Sequence, residues 1–414
     1  MSFHIDESDI KNRKLLATKV IPIKELILET LPCVSTVLSS NLKTHCSFCF
    51  QNGKGLFFCA NCKTRYYCNR DCQSQDWKSG HKQECKVLTS LFSSKNIPKI
   101  NSLFLICLRV LVMKDIKGSD IMEKSKLLIS NKEKFPEEKI TFFREMAIIL
   151  LKYLERELNL ELMEETIEIL CKISINAFTI YNHLDEPMGL GVYIPSNFIN
   201  HCCEPNAHIL FAGRTQRIFA LKEIEKNSEI TISYSQMLSS RESNRKFLKE
   251  NYLFDCKCGK CEGDMQIPER VFEILEIISS KKADTIEKNQ CWQEIINNYK
   301  GLPREYYGKA LSELSLQYIN DKDYKKAYGI LKQFIECCEG KITTYEPEIG
   351  WKYAELAKLG KYLGKLKESI IYGEKSLGIL MKYYKVSDEI WELKELETNL
   401  REMQDLVRAN QYFI

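Results

Sequence analysis

Apolar residues recur at helical spacing through several long stretches of the chain. Residues 140–151 repeat them every three or four positions, and residues 162–175 do so with acidic residues on the opposite face. This spacing is typical of amphipathic helices. The run 103–113 is apolar except for Arg109 and far too short to span a bilayer, so it predicts a core helix. From about residue 268 to 414 the pattern is helical throughout.

Shorter segments predict strands at residues 24–30, 208–211, 217–221 and 228–234. The first follows a turn at 21–23, and the second and third are joined by a turn at 213–215. The last ends in Tyr234 and is followed by a charged helix from about 239 to 249. Helices and strands thus occupy separate stretches of the chain, which indicates an α+β fold.

The helical C-terminal region contains a weak internal repeat. The spacing of small and aromatic residues over 310–327 is echoed over 351–369, as in two helix–turn–helix units. These units resemble degenerate tetratricopeptide (TPR) repeats of longer period. Two interpretations stay open, namely a helical layer that packs on the rest of the chain and a groove that binds peptides.

Composition narrows the class of protein. With 44% hydrophobic and 28% charged residues in 414, the chain has the make-up of a globular protein with two or three cores. Its 60 basic and 56 acidic residues give a net charge of +4, so we do not expect nucleic acid or a membrane as partners. Residues 1–7 carry acids where a signal peptide would need basic and then apolar residues. The 18 cysteines are therefore expected to be reduced thiols that bind metal.

Eight candidate metal ligands follow one another within forty residues. Their spacing is C-x2-C, C-x2-C, C-x3-C and H-x3-C, four close pairs as two tetrahedral zinc sites require. Such sites leave no position for water and are structural. The last pair lies in a stretch rich in Lys and Gln that predicts a short helix. The ligands are Cys46, Cys49, Cys59, Cys62, Cys68, Cys72, His81 and Cys85.

A polar loop at residues 200–206, Asn-His-Cys-Cys-Glu-Pro-Asn, carries a second set of reactive residues. Its proline and polar side chains cannot easily continue a helix or a central strand. Farther on, Cys256, Cys258 and Cys261 are one ligand short of a closed zinc site. We expect one of the adjacent pair Cys202 and Cys203 to be the fourth ligand, so that a third zinc ties this segment to the loop.

The segment 46–85 resembles the MYND zinc finger. The likeness includes Tyr66-Tyr67-Cys68, Cys72-Gln73 and Asp76-Trp77 ahead of His81-Lys82. The interval from Cys72 to His81 is one residue longer than usual, and we expect a loop to absorb the extra residue. The resemblance implies interleaved ligands, with one zinc on Cys46, Cys49, Cys68 and Cys72 and the other on Cys59, Cys62, His81 and Cys85.

The polar loop, the strand ending at Tyr234 and the trailing C-x-C-x2-C resemble a SET domain with its post-SET zinc. Together with the finger and the helical tail, they match the layout of the SMYD lysine methyltransferases over nearly the whole chain. The implied fold is a SET-type β-fold split by a MYND finger and followed by an all-helical TPR-like domain. The implied boundaries are 1–45 for the first SET part, 46–85 for the finger, 86–180 for a helical insert, 181–240 for the core SET part, 241–266 for the post-SET region and 267–414 for the helical domain.

The resemblance implies methyl transfer from S-adenosylmethionine to lysine ε-amines of histone or other proteins. Tyr234, Tyr252 and Phe178 match the family positions that line the lysine channel. Cys203 matches the third zinc with Cys256, Cys258 and Cys261. The positions that match the cofactor contacts are Arg13, Asn131, Asn176, Asn200, His201, Tyr234 and Phe254. His201 is expected to use both backbone and side-chain hydrogen bonds, and Phe254 to stack on adenine.

Three departures concern the cofactor cradle. The glycine-rich turn of the family is replaced by Asn12-Arg13-Lys14, in which Lys adopts positive φ only poorly. No aromatic residue stands at the family spacing before Asn131, and Cys202 replaces the usual serine. An alternative function is therefore an adaptor on a SET scaffold that no longer binds cofactor. A third interpretation, DNA binding by the finger, is supported only by a small basic face at residues 78, 82 and 86.

The resemblance also bears on partners and location. The finger is a candidate site for proline-rich peptides, and the helical region for a chaperone or another protein partner. We expect a monomer in the cytoplasm and nucleus.

Overall fold

The computed structural model describes residues 2–7, 13–53, 55–93, 100–235, 241–263, 267–280, 283–302, 304–338, 346–385, 388 and 390–411. The chain divides into two compact units. The first contains Met1–Tyr234 and Lys246–Cys256, and the second contains Ser235–Arg245 and Lys257–Ile414. No helix in the described parts of the chain is long and apolar enough to cross a membrane.

Short strands belong to the first unit. They are β1 (Phe3–Asp6), β2 (Lys14–Ala17), β3 (Leu26–Thr30), β4 (Val34–Val37), β5 (Phe57–Phe58), β6 (Tyr66–Tyr67), β7 (Phe178–Tyr181), β8 (Pro187–Val192), β9 (Asn200–His201), β10 (Ala207–Ala212), β11 (Thr215–Ala220) and β12 (Thr231–Ile232). They form small sheets with the orders β1-β2, β10-β11-β3, β12-β9, β4-β8-β7 and β5-β6. The α+β class is confirmed, and the strands predicted near 24–30, 208–211 and 217–221 are present as β3, β10 and β11.

Helices of the first unit are α1 (Arg70–Asp76), α2 (Lys82–Ser93), α3 (Ser102–Lys114), α4 (Ile121–Lys126), α5 (Glu137–Tyr153) and α6 (Leu160–Asn176). The two amphipathic patterns lie in α5 and α6, and the apolar run forms α3, which is buried from Phe104 to Val112. Four of the candidate zinc ligands of the finger are buried in the same apolar cluster as α3 and α6, namely Cys46, Cys59, Cys62 and Cys85. The finger is thus part of the core of this unit.

The next helix, α7 (Arg241–Tyr252), ends at Tyr252, three residues beyond the predicted end. Its predicted first residues, 239 and 240, lie outside the described residues. The second unit consists of α8 (Gly259–Glu262), α9 (Glu269–Ser279), α10 (Thr285–Asn298), α11 (Arg304–Asn320), α12 (Tyr324–Cys338), α13 (Glu346–Tyr362), α14 (Leu366–Leu380) and α15 (Trp391–Gln411). Apolar side chains from α9 to α14 form one cluster of its core, and α15 contributes further buried side chains. The two repeats coincide with the helix pairs α11–α12 and α13–α14.

Two local expectations need correction. The strand predicted over 228–234 is only Thr231–Ile232 in the structure, because it pairs in parallel with two residues, Asn200 and His201. The first two residues of the polar loop are therefore a strand, and the loop proper begins at Cys202. This pairing places the loop beside Tyr234.

Candidate functional site

The first set of candidate zinc ligands combines Cys46, Cys49, Cys68 and Cys72, whose sulfur atoms all lie within 4.8 Å of one another. Cys68 Sγ lies 3.6 Å from Cys49 Sγ and 3.3 Å from Cys72 Sγ. Four thiolates at about 2.3 Å around zinc are separated by roughly 3.8 Å, so the set fits a tetrahedral ion. Asn69 supports it by accepting a hydrogen bond from the backbone N–H of Cys72 at the start of α1.

The second set combines Cys59, Cys62, His81 and Cys85, all of them buried. Cys59 Sγ lies 3.6 Å from Cys85 Sγ, and Cys62 Sγ lies 3.6 Å from His81 Nε2. The interleaved pairing that the family resemblance implies is present in both sets. This set fits zinc by its chemistry, since three thiolates and one imidazole are donors that structural zinc sites use.

The interval between Cys72 and His81, which is one residue longer than usual, contains a kink. After α1 the helical path continues through Trp77–His81 into α2, but Gly80 has non-helical backbone angles and interrupts it. The extra residue therefore falls in a kinked helical segment and not in an open loop. Gly80 has a φ of 143° there, a conformation that side chains other than glycine rarely adopt.

The third set combines Cys203 with Cys256, Cys258 and Cys261. Cys203 Sγ lies 3.8 Å from Cys256 Sγ, again the separation that a tetrahedral zinc requires. Of the adjacent pair, only Cys203 belongs to the set, and the Cys202 thiol donates to the backbone carbonyl of Glu204 across 3.4 Å. The chain therefore holds three sites suited to structural zinc within its described residues.

Aromatic side chains gather beside the third set. The ring of Tyr234 lies 4.8 Å from that of Tyr252 and 6.2 Å from that of Phe254, edge to face with the latter. The ring of His201 lies 5.3 Å from Tyr234 and 5.8 Å from Phe254. Four residues from three separate segments thus form one aromatic cluster, which brings together Tyr234 and Tyr252 of the predicted lysine channel with Phe254 and His201 of the predicted cofactor contacts.

Both tyrosine hydroxyls of this cluster stay protonated at neutral pH. Tyr234 donates its hydroxyl to the carbonyl of Ile199 across 2.7 Å, and burial, followed by the neighbouring Tyr252, raises its pKa. Burial also raises the pKa of Tyr252 to about 12. Its hydroxyl lies 3.4 Å from the backbone oxygen of Tyr234. The pair can donate hydrogen bonds and cannot act as bases near pH 7.

His201 uses both of its ring nitrogens inside the protein. Nδ1 accepts the backbone N–H of Tyr234 at 2.9 Å, and Nε2 lies 3.1 Å from Cys203 Sγ. Burial lowers the pKa of this ring to about 4. The side chain is therefore committed to the aromatic cluster and the third set of thiols. Because both ring nitrogens already contact protein atoms, His201 can meet the cofactor through its backbone groups.

Leu253 has a left-handed backbone conformation, with φ of 63°. It separates Tyr252, the last residue of α7, from Phe254. Both neighbours contact the ring of Tyr234, so the reversal at Leu253 turns two side chains toward one target. This conformation costs a residue with a Cβ roughly 1–2 kcal/mol, a strain typical of functional sites.

Phe178 begins β7 and contacts the ring of Tyr193 edge to face at 5.9 Å. It is partly buried against the same apolar cluster that Tyr234 packs on. Tyr181, at the other end of β7, lies close enough to Tyr252 to contribute to raising its pKa. Sequence reasoning missed Tyr181 and Tyr193. Alternation along β7 gives no signal for Tyr181, because residues three apart in a strand point to opposite faces and the register shifts between Ile180 and Tyr181.

A cleft lies next to the start of β9. It contains three of the predicted cofactor residues together with four that were not predicted, and its lining is Arg13, Leu127, Ile129, Asn176, Asn197, Phe198 and Asn200. The distant sequence positions of Arg13, Asn176 and Asn200 are brought together because β2 and β9 begin where α6 ends. A site for a polar ligand with apolar contacts is the chemistry that this lining allows.

Arg13 is the charged group of the cleft. One guanidinium nitrogen, Nη1, donates to the carbonyl of Leu127 at 2.6 Å, and the group lies 5.2 Å from the ring centre of Phe198. Its Nε is buried and has no hydrogen-bond partner among the described residues. A buried donor without a partner is unfavourable, so this nitrogen suits an anionic group of a ligand. Asn12, part of the same predicted turn, lies outside the described residues.

Two of the three asparagines that line the cleft, Asn176 and Asn200, are held by backbone carbonyls and one carboxylate. Asn176 Nδ2 donates to the carbonyls of Ile129 and Lys172, each at 2.8 Å. Asn200 Nδ2 donates to the carbonyl of Arg13 at 3.2 Å and to Glu229 Oε1 at 2.8 Å. Their orientation is therefore fixed by the surrounding elements before any ligand arrives.

Asn131 does not line this cleft. It adopts a left-handed conformation, with φ of 47°, before the short 3-10 helix Lys132–Lys134. It follows the cleft residue Ile129 by two positions. The missing aromatic before it and its place outside the lining make it the predicted cofactor residue with the least support from the geometry.

Comparison with known proteins bears on both the finger and the site. Residues 46–85 match the sequence model of the MYND finger. The histone-lysine N-methyltransferase SMYD3 of Mus musculus is 30% identical over 298 residues, covering 67% of this chain and 67% of the relative. The histone-lysine N-methyltransferase ASHR1 of Arabidopsis thaliana is 29% identical over 262 residues, covering 61% of this chain and 53% of the relative.

A solved structure also aligns with this chain. The SET domain of LSMT, crystallised with lysine and AdoHcy, aligns with 95% of this chain and 94% of its own. The identity is 12% and the TM-score is 0.35, a likeness too weak to support an argument about this chain.

Proposed function

The chain belongs to the SMYD family, and we propose that it transfers methyl groups from S-adenosylmethionine to lysine side chains of proteins. The observation that carries the proposal is the aromatic cluster of Tyr234, Tyr252, Phe254 and His201 beside the polar loop. It adjoins a cleft with an unpartnered buried donor on Arg13. The named activity of the relatives SMYD3 and ASHR1 agrees with this reading.

Methyl transfer needs a neutral amine aligned with its target, although free lysine has a pKa of about 10.4. In the proposed channel Tyr234, Tyr252 and Phe178 surround the amine with aromatic carbon. A dry environment of this kind disfavours the ammonium form and lowers the pKa of the lysine. The two protonated hydroxyls orient the amine by hydrogen bonds, while the aromatic faces favour cationic methylammonium products.

The residues of the cleft suit the polar parts of S-adenosylmethionine. We assign Arg13 Nε to its carboxylate, because that nitrogen is buried, cationic and without a partner in the described chain. Asn176 and the backbone of Asn200 and His201 hold the remaining amino-acid and adenine groups, and Phe254 stacks on adenine. When bound, the cofactor supplies an activated methyl group on a sulfonium. Asn131 remains a weaker assignment.

The proposal also covers the substrates and their location in the cell. Substrates are proteins with accessible lysines, histone tails or others, met in the cytoplasm and nucleus. The three zinc ions are structural, since each set offers four protein ligands and leaves no open position.

A second function, that of an adaptor, has one observation in its favour. On the finger, Phe57 and Phe58 expose 58% and 52% of their surface, as a site for a proline-rich peptide would. An adaptor needs no cofactor, so cofactor binding separates the two proposals.

The experiment is a titration of the zinc-loaded protein with S-adenosylmethionine, followed by melting temperature and by calorimetry. Ligand at a hundred times its Kd stabilises a folded protein by about 2.7 kcal/mol, which raises the melting temperature by several degrees. Arg13→Met should weaken binding, whereas Lys14→Met, a matched loss of the neighbouring cation, should not. No response of the wild-type protein would refute the methyltransferase and favour the adaptor.

A further inference from the structure

Four charged side chains are buried together where the finger meets α3. Arg65, Asp76 and Glu84 come from the finger and Arg109 from α3, and none of them exposes more than 5% of its surface. Burying a charge is unfavourable unless another charge neutralises it. Two cations and two anions at this junction balance, and we call them the buried quartet.

Arg109 holds both acids of the quartet. Its Nε and Nη2 donate to the two carboxylate oxygens of Glu84 at 2.7 and 2.6 Å, and its Nη1 donates to Asp76 Oδ1 at 2.6 Å. The other oxygen of Asp76 accepts the hydroxyl of Tyr67 at 2.7 Å. Burial alone would raise the pKa of Glu84, but Arg109 and then Arg65 outweigh it and hold that pKa well below its usual value.

One end of the quartet reaches the second zinc site. His81 turns Nε2 toward Cys62 Sγ, so Nδ1 is the nitrogen on the opposite side of the ring. That Nδ1 lies 3.6 Å from Glu84 Oε2, slightly longer than a hydrogen bond, and has no hydrogen-bond partner among the described residues. A carboxylate that hydrogen-bonds to a ligating histidine fixes the orientation of the ring and increases its basicity. Glu84, itself held by Arg109, lies within a few tenths of an ångström of making this bond to His81.

The other end reaches a strand outside the finger. Arg65 Nη2 donates to Glu84 Oε2 at 3.1 Å, and Arg65 Nη1 donates to the hydroxyl of Thr36 at 3.1 Å. Thr36 lies in β4, opposite Leu190 of β8, and Leu190 lies opposite Thr179 of β7. The neighbouring residue of β7 is Phe178. Arg65 thus contacts β4 at a residue that is two strand pairings and one residue away from Phe178.

A second contact between the finger and this sheet is equally close. Phe50, next to the ligand Cys49, is fully buried against Gly189 of β8. A Cβ on Gly189 would lie 2.3 Å from Phe50 Cε2, so no larger residue fits without displacement. The sheet and the finger therefore pack too tightly at this point for one to move independently of the other.

We propose that Arg65, Asp76, Glu84 and Arg109 are positioning residues that tie the second zinc site to the β4-β8-β7 sheet. Loss of zinc from Cys59, Cys62, His81 and Cys85 then loosens the strand that carries Phe178. The consequence for lysine binding rests on the proposed methyltransferase function. The link between the second zinc site and the sheet is independent of that function.

Hydrogen exchange on the full zinc-loaded chain, read by mass spectrometry, tests the link without any methylation assay. Arg109→Met should leave Glu84 and Asp76 buried without their cation. Zinc should pass to a chromogenic chelator about tenfold faster, and the amides of β4 and β7 should exchange faster. Thr36→Val, nearly identical in shape, removes the hydroxyl that accepts from Arg65, together with its long bond of 3.4 Å to the adjacent carbonyl of Val37. It should keep its zinc and accelerate exchange in β4 and β7.

Lys86→Met on α2 is the matched control, since Lys86 pairs with Glu155 at the exposed surface. It should change neither zinc release nor exchange. Unchanged exchange of β4 and β7 in Thr36→Val would overturn the proposal, and this variant decides the matter even if Arg109→Met does not fold. With a methylated substrate in hand, Thr36→Val should raise the KM for the lysine peptide and leave that for the cofactor unchanged. Absence of all methylation would refute the proposed function and leave the exchange result standing.

Discussion

The backbone N–H of Tyr234 donates a hydrogen bond to Nδ1 of His201 across 2.9 Å. A neutral imidazole that accepts at Nδ1 carries its proton on Nε2. That nitrogen lies 3.1 Å from the sulfur of Cys203 and donates to it. One histidine thus links the strand of the proposed catalytic tyrosine to the third zinc site. The residues between 201 and 234 close a loop that this contact and the β9–β12 pairing hold together.

Replacing His201 by Phe tests this link. The ring area is kept, but the N–H of Tyr234 and the sulfur of Cys203 lose their partner. Leaving a buried donor without a partner costs about 1–3 kcal/mol. Urea unfolding should show that loss in the free energy of unfolding. His4→Phe, on an exposed position of β1, is the control and should change it little. Equal effects of the two variants would contradict the link.

Zinc content separates the adjacent cysteines. The native chain should bind three zinc ions, as measured by elemental mass spectrometry. Cys203→Ser should bind two, because Cys203 belongs to the third set of ligands, and Cys202→Ser should still bind three. Serine keeps the size of both side chains, so the two variants differ chiefly in whether a zinc ligand is lost. Loss of an ion from Cys202→Ser alone would show that the ligand is assigned to the wrong cysteine.

The left-handed conformation at Leu253 predicts an unusual order of stability among variants of this residue. Asn tolerates this region well and β-branched residues hardly at all. Leu253→Asn should therefore be more stable than Leu253→Val, by about 1–3 kcal/mol. Melting temperatures at one pH and zinc load would measure it. A Val variant as stable as the Asn variant would mean that the backbone is not held in this conformation.

The pH dependence of methyl transfer follows from the raised pKa values of the tyrosines. Substrate lysine must lose a proton with a pKa of about 10.4. Tyr252 has a pKa of about 12, and that of Tyr234 is also raised, so neither titrates first. We expect kcat/KM to rise about tenfold per pH unit from 7 to 9.5. Initial rates with melting temperatures at each pH would check this. A decline below pH 9 in folded enzyme would contradict it.

The sequence predicted most of what depends on residues close together in the chain. The zinc ligands of the finger, the helices α3, α5 and α6 and the strands β10 and β11 follow from short spacings and local periodicity. The family resemblance supplied the interleaved ligand pairs. Spacing alone could not, because two ions and four pairs allow several arrangements.

What the sequence could not predict depends on contacts between distant segments. Arg13, Asn176 and Asn200 meet in one cleft only because β2 and β9 begin where α6 ends. The kink at Gly80 in Trp77–His81, which packs against Met113 and Arg109, has no clear periodic signal. Arg109 did give a signal, since a lone cation in an apolar helix must have buried partners. The sequence could not say which partners those were.

The most direct test of the account is methyl transfer itself. Purified zinc-loaded protein would be incubated with methyl-labelled S-adenosylmethionine and core histones, and labelled lysines would be identified by mass spectrometry. The account predicts lysine labelling by the native chain. For Tyr234→Phe it predicts a rate lower by about tenfold or more, with cofactor affinity within about threefold of native. A native chain that binds the cofactor yet labels no lysine in histones or cell extract, or a Tyr234→Phe variant with an undiminished rate, would contradict it.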